Sequence, residues 1–105
     1  MTAMNQHRFQ QASREERPVL VEFWAPWCVY CRRITPALQK VADQYRDTLV
    51  VGKVNIDEEP ELSRAERIEV VPTLILYQNG EALGSIVAPD SKARIDEFIQ
   101  DTLGM

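Results

Sequence analysis

Cys28 and Cys31 are the two cysteines of the chain, with Val29 and Tyr30 between them. Thiols at this spacing can close to a disulfide and reopen, with the thiolate as the nucleophile. A secreted mini-protein stapled by disulfides uses more cysteines at wider spacing. A structural zinc site takes four ligands, and the one histidine, His7, is remote in sequence. A closed metal site within one chain is therefore not expected, and dithiol chemistry remains. The competing readings are two inert buried thiols, a structural disulfide, or a cluster held by four thiolates from two chains. A bridge across so short a loop adds little stability, which weighs against the structural disulfide.

How the pair reacts depends on the elements that carry it. Val19-Leu20-Val21-Glu22-Phe23-Trp24 is β-branched and aromatic, and reads as a central parallel strand covered on both faces. Ile34, Leu38, Val41, Ala42 and Tyr45 recur along one face of a helix expected over 28–45. Pro36 falls inside it and is expected to kink it. The cysteines thus sit where a strand ends and a helix begins. There the free first-turn N–H groups and the positive end of the helix dipole favour a thiolate. The Cys28 sulfur is expected to cap the helix, with Cys31 one turn on, in reach of a disulfide formed on Cys28. Glu22 shares its strand face with Leu20 and Trp24, which should be apolar. It is either a buried carboxylate with a raised pKa or an edge-exposed one.

Around this unit the pattern predicts a weak edge strand over 1–4, a helix over 5–16 and a strand over 49–56. A short acidic helix over 58–67 carries Pro60 in its first turn. Strands over 73–78 and 81–87 join through Asn79-Gly80, a type I′ hairpin signal. A last helix starts near Asp90 or Ser91, with Ile95, Phe98, Ile99 and Leu103 as its apolar stripe. The order βαβα followed by ββα, with right-handed crossovers, predicts an α/β fold: a mixed sheet of four or five strands flanked by helices on both faces.

The 105 residues suit a single domain, 1–105. A net charge of −4 weighs against nucleic acid or anionic lipid as a partner. No apolar run approaches the about 20 residues that span a membrane. Residues 1–11 are polar, without the apolar region of a secretory signal, so a cytoplasmic location and a monomer are expected. No cofactor and no metal are expected.

Several separate motifs resemble the thioredoxin family: Val21-Glu22-Phe23-Trp24-Ala25-Pro26-Trp27-Cys28-Val29-Tyr30-Cys31, then Val51-Gly52-Lys53-Val54-Asn55-Ile56-Asp57, Val71-Pro72-Thr73 and Gln78-Asn79-Gly80. The resemblance runs from about Pro18 to Leu103. It implies the thioredoxin fold and reduction of protein disulfides, with electrons from a thioredoxin-reductase-like donor. Cys28 resembles the attacking cysteine and Cys31 the resolving one. Pro72 resembles the cis-proline that faces the dithiol and presents the Val71 backbone to an extended substrate. Trp27 resembles the indole flanking the dithiol, or is a plain packing aromatic. Glu22 stands where thioredoxins usually carry an aspartate beneath the resolving cysteine, and Lys53 matches the lysine loosely paired with it. Pro36 resembles the family's helix-kinking proline.

The chain also departs from the family. Val29-Tyr30 replaces the usual Gly-Pro, so Tyr30 either meets substrate and shields Cys31 or faces solvent. Arg32 and Arg33 follow directly, near enough to steady a thiolate or simply solvated. Val70 and Ala88 stand where thioredoxins commonly carry glycines, which is expected to narrow the docking surface. These departures motivate a sibling reading, a partner-specific or more oxidising redoxin.

Overall fold

β2, Val19–Trp24, is the middle strand of a five-stranded sheet in the order β1-β3-β2-β4-β5. A computed structural model describes residues 1–105. β1 (Thr2–Ala3) and β3 (Val50–Asn55) run parallel to β2, while β4 (Thr73–Gln78) and β5 (Glu81–Val87) form the antiparallel half. The sheet is mixed, as expected. Central β2 is hydrophobic on both faces because both are covered. Leu20 packs with Ile34, Leu38 and Val41 of α2 (Val29–Gln44) and with Ile95 and Ile99 of α4 (Lys92–Leu103). Val19, Val21 and Phe23 point the other way, onto Phe9 of α1 (Gln6–Ser13) and Leu62 of α3 (Pro60–Ala65).

Local chemistry sets most boundaries. Asn5 and Ser91 cap α1 and α4 by accepting the N–H of Arg8 and Arg94. Asn79 and Gly80 both take positive φ in the hairpin turn. α2 continues through Pro36. α3 is shorter than the expected 58–67: Pro60 opens it, and Arg67 already has a positive φ of 59°. α1 stops at Ser13 instead of reaching 16, since its polar sequence buries only Phe9 and Ser13. The N-terminal edge strand does form, and Met4 N–H continues it by donating to the Lys53 carbonyl at 2.8 Å. No helix is long and apolar enough to cross a membrane.

Candidate active site

The dithiol stands at the junction of β2 and α2, after the loop Ala25-Pro26-Trp27. Cys28 has extended backbone and is the N-cap of α2. Its sulfur accepts the Cys31 N–H at 3.1 Å, where an ordinary N-cap would use a side-chain oxygen. The two cysteines are bonded to each other, with their Cα atoms 5.3 Å apart. This places one sulfur among the free N–H groups of a helix start and the other a turn inside.

Both cysteines are buried. Cys28 is 7% exposed and Cys31 2%. Both pack with Ala25, and Trp24, Tyr30, Ile56 and Val71 close around them. The Cys28 sulfur lies in a notch between these residues. It is 3.9 Å from the Val71 carbonyl oxygen. The Val71–Pro72 peptide is cis. Pro72 is buried and Val71 half-buried beside the sulfur.

Two rims flank the notch. Trp27, Ile56, Ile68, Glu69, Val70 and Val71 line a largely apolar cavity of about 250 Å³ on one side. Trp27 is 64% exposed, and its indole N–H reaches the Asp57 carboxylate at a long 3.4 Å. Val29 and Val70 are exposed. Ala88 and Pro89 form the other rim. Ala88 is exposed with φ of 46°, and its N–H donates to the Pro72 carbonyl at 2.9 Å. The Tyr30 hydroxyl donates to the Pro89 carbonyl at 2.9 Å. Arg32 and Arg33 are exposed, and the chain's two ion pairs, Lys92–Asp96 and Arg94–Glu97, both lie on α4.

Glu22 is 1% exposed, and neither carboxyl oxygen has a hydrogen-bond partner. It lies between Lys53 of β3 and Leu74 of β4 on the sheet face that α2 covers. Burial pushes its pKa up from the usual 4.5 to about 7, against the pull of the Lys53 charge. Lys53 does not form an ion pair with it. The ammonium sits 4.4 Å from the centre of the Trp24 ring instead.

The thioredoxin family model matches residues 1–101. The chain belongs to the thioredoxin family. A thioredoxin of Alicyclobacillus acidocaldarius is 38% identical over 95 residues, covering 90% of both chains. One of Acidithiobacillus ferridurans is 41% identical over 90 residues, covering 86% of this chain and 83% of that one. A bifunctional thioredoxin reductase/thioredoxin of Mycobacterium leprae is 35% identical over 95 residues, 90% of this chain and 21% of that protein. The crystal structure of a Malassezia sympodialis thioredoxin superposes with a TM-score of 0.89 at 25% identity, over 97% of this chain and 90% of that chain. The α/β expectation and the thioredoxin fold are thereby borne out. The chain is a thiol–disulfide oxidoreductase, a thioredoxin-like protein-disulfide reductase.

Within this thioredoxin fold, the residues singled out from sequence fall into two groups. Tyr30 and Val71 pack against Cys28 and Cys31, Trp27 and Val71 line the adjoining cavity, and Val29 and Pro72 are their neighbours along the chain. Glu22 and Lys53 belong to the sheet beneath α2. Pro89 was not anticipated: its carbonyl meets Tyr30 across 59 positions of sequence, and no local pattern announces such a contact.

Proposed function

We propose that Cys28 attacks and Cys31 resolves. The observation that carries this assignment is the Cys31 N–H pointing at the Cys28 sulfur, since a helix start stabilises the thiolate it caps. The Cys28 thiolate attacks one sulfur of a substrate disulfide. A mixed disulfide forms, and the other substrate sulfur leaves as a thiolate that takes a proton. Cys31 then gives up its proton, attacks the Cys28 sulfur and displaces the second substrate thiol. One substrate disulfide becomes two thiols, and two electrons leave the Cys28/Cys31 pair as it closes.

Glu22 is the proton acceptor for Cys31 in this scheme. A carboxyl titrating near neutrality can take a proton and pass it on at working pH. Lys53 tunes Glu22 by its charge. Trp27, Val29, Tyr30, Val71 and Pro72 bind substrate, with an extended segment lying against the Val71 main chain and apolar side chains entering the cavity beside Trp27.

The single-domain monomer works in the cytoplasm in cell redox homeostasis and electron transport, recharged by a thioredoxin-reductase-like donor. Its partners are protein disulfides, not nucleic acid or membranes. A bias towards dedicated partners or a more oxidising poise is supported by Arg32 and Arg33, exposed and without an ion-pair partner beside the dithiol. Insulin reduction with dithiothreitol as donor tests the core of the reading. The wild-type chain should accelerate precipitation of the freed insulin B chain, and Cys28→Ser should not. Equal rates for the two would refute it.

A further inference from the structure

Tyr30 belongs to the helix of the dithiol but is bonded to the loop after β5. Its ring packs both against the cysteine cluster and against the main core under α2 and α4. Its hydroxyl donates to the carbonyl of Pro89, a buried residue that is not part of the cavity beside Trp27. The neighbouring Ala88 N–H donates to the Pro72 carbonyl, and Val71, just before Pro72, touches the Cys28 sulfur. The contacts close a ring: from Cys28 through Val29 and Tyr30 to Pro89 and Ala88, then through Pro72 and Val71 back to Cys28. The hydroxyl of Tyr30 is its one side-chain hydrogen bond.

We propose that the Tyr30–Pro89 hydrogen bond is a strap that shuts the Ala88 side of the notch, covers Cys31, and makes Tyr30 a specificity-determining residue. The inference rests on the disulfide-reductase reading and adds which disulfides are admitted. The rim beyond Tyr30 is tied to the dithiol helix by this bond, so moving it aside costs the bond. The rim at Trp27 and Val70 carries the open apolar cavity. A small disulfide reaches Cys28 whatever the strap does. A disulfide embedded in a polypeptide needs room on both sides of the sulfur, and the strap removes one.

Tyr30→Phe deletes the hydroxyl and keeps the ring, so the packing of Tyr30 is retained. Single-turnover oxidation of the reduced chain is followed with insulin and with hydroxyethyl disulfide. The ratio of the two second-order constants cancels any general change in thiol reactivity. Tyr30→Phe should raise the insulin-to-small-disulfide ratio by roughly fivefold, the range spanned by one neutral hydrogen bond. In a Cys28→Ser background, the same change should speed alkylation of Cys31 by iodoacetamide by a similar factor. An unchanged ratio together with unchanged alkylation overturns the strap. A falling ratio also overturns it, because the hydroxyl would then be helping the polypeptide in instead of shutting the rim, whatever the Tyr30 ring contacts. If the wild-type chain is oxidised by neither disulfide, the reductase reading fails, and the alkylation arm alone decides the strap.

Discussion

Glu22 and Lys53 are partners in register across β2 and β3, yet they make no ion pair. The lysine leans over Trp24 and the carboxyl stays buried without a hydrogen bond. An ionised carboxylate in that setting is costly, which is the physical meaning of a pKa pushed up to about 7. Below the unfolded value of 4.5 the group is protonated in both states and carries no penalty. As pH rises from there to 7 the penalty grows, and above 7 it is complete. Glu22→Leu should therefore stabilise the fold at pH 8 by up to about 3 kcal/mol, a gain that shrinks towards zero near pH 4. It should also slow turnover. Denaturant unfolding at the two pH values, with an insulin assay alongside, checks both. A variant less stable than wild type at pH 8, with full activity, would contradict the account.

Lys53→Met removes the one cation that holds the Glu22 pKa down. The apparent pKa of the Glu22 carboxyl should move above about 7, read by carbon-detected NMR titration. A downward move would mean that the lysine acts on Glu22 through something other than its charge.

Ala88 has φ of 46°, a conformation that costs a residue with a Cβ about 1–2 kcal/mol. Ala88 stands where thioredoxins commonly carry a glycine. The structure shows the loop keeping a left-handed backbone without one. Ala88→Gly relieves the strain and loosens the unfolded chain by about 0.5–1 kcal/mol, so a net stabilisation of about 0.5–1 kcal/mol is expected. Urea midpoints of the two proteins measure it. A clear destabilisation would show that the Cβ makes a contact worth more than the strain.

Much of this was legible in the chain itself. The alternation of Leu20, Glu22 and Trp24 with Val19, Val21 and Phe23 assigned the two sheet faces, because both are covered by helices. β4 and β5 have the expected ends, since Asn79-Gly80 pins the hairpin between them. Cys28 as the sulfur cap of α2 followed from its place between strand and helix. What escaped was long-range. The depth of the notch comes from Ile56 and Val71, which arrive from other loops. The Tyr30–Pro89 bond depends on how two distant segments meet, and composition holds no record of that. The ends of α1 and α3 were overdrawn because polar helix-compatible residues continue past the last buried contact.

Val29-Tyr30 cannot fix φ as the usual proline does, and Arg32 and Arg33, exposed, follow Cys31 directly in the chain. Both are expected to favour the reduced dithiol, through a first turn that no proline stiffens and by Coulomb attraction. Replacing Val29-Tyr30 with Gly-Pro should lower the reduction potential by roughly 30 mV, equivalent to about 1.4 kcal/mol for two electrons. Equilibration in glutathione buffers gives the value. An unchanged potential would place the control of poise outside the dipeptide.

The division of labour between the two sulfurs is the centre of the account, and a trap reads it directly. Reduced Cys31→Ser and Cys28→Ser chains are each mixed with an oxidised protein substrate, and the adducts are mapped by mass spectrometry. Cys31→Ser should hold the substrate in a lasting mixed disulfide on Cys28, while Cys28→Ser should capture little. Stable capture on Cys31 by the Cys28→Ser chain, with none on Cys28, would contradict the assignment.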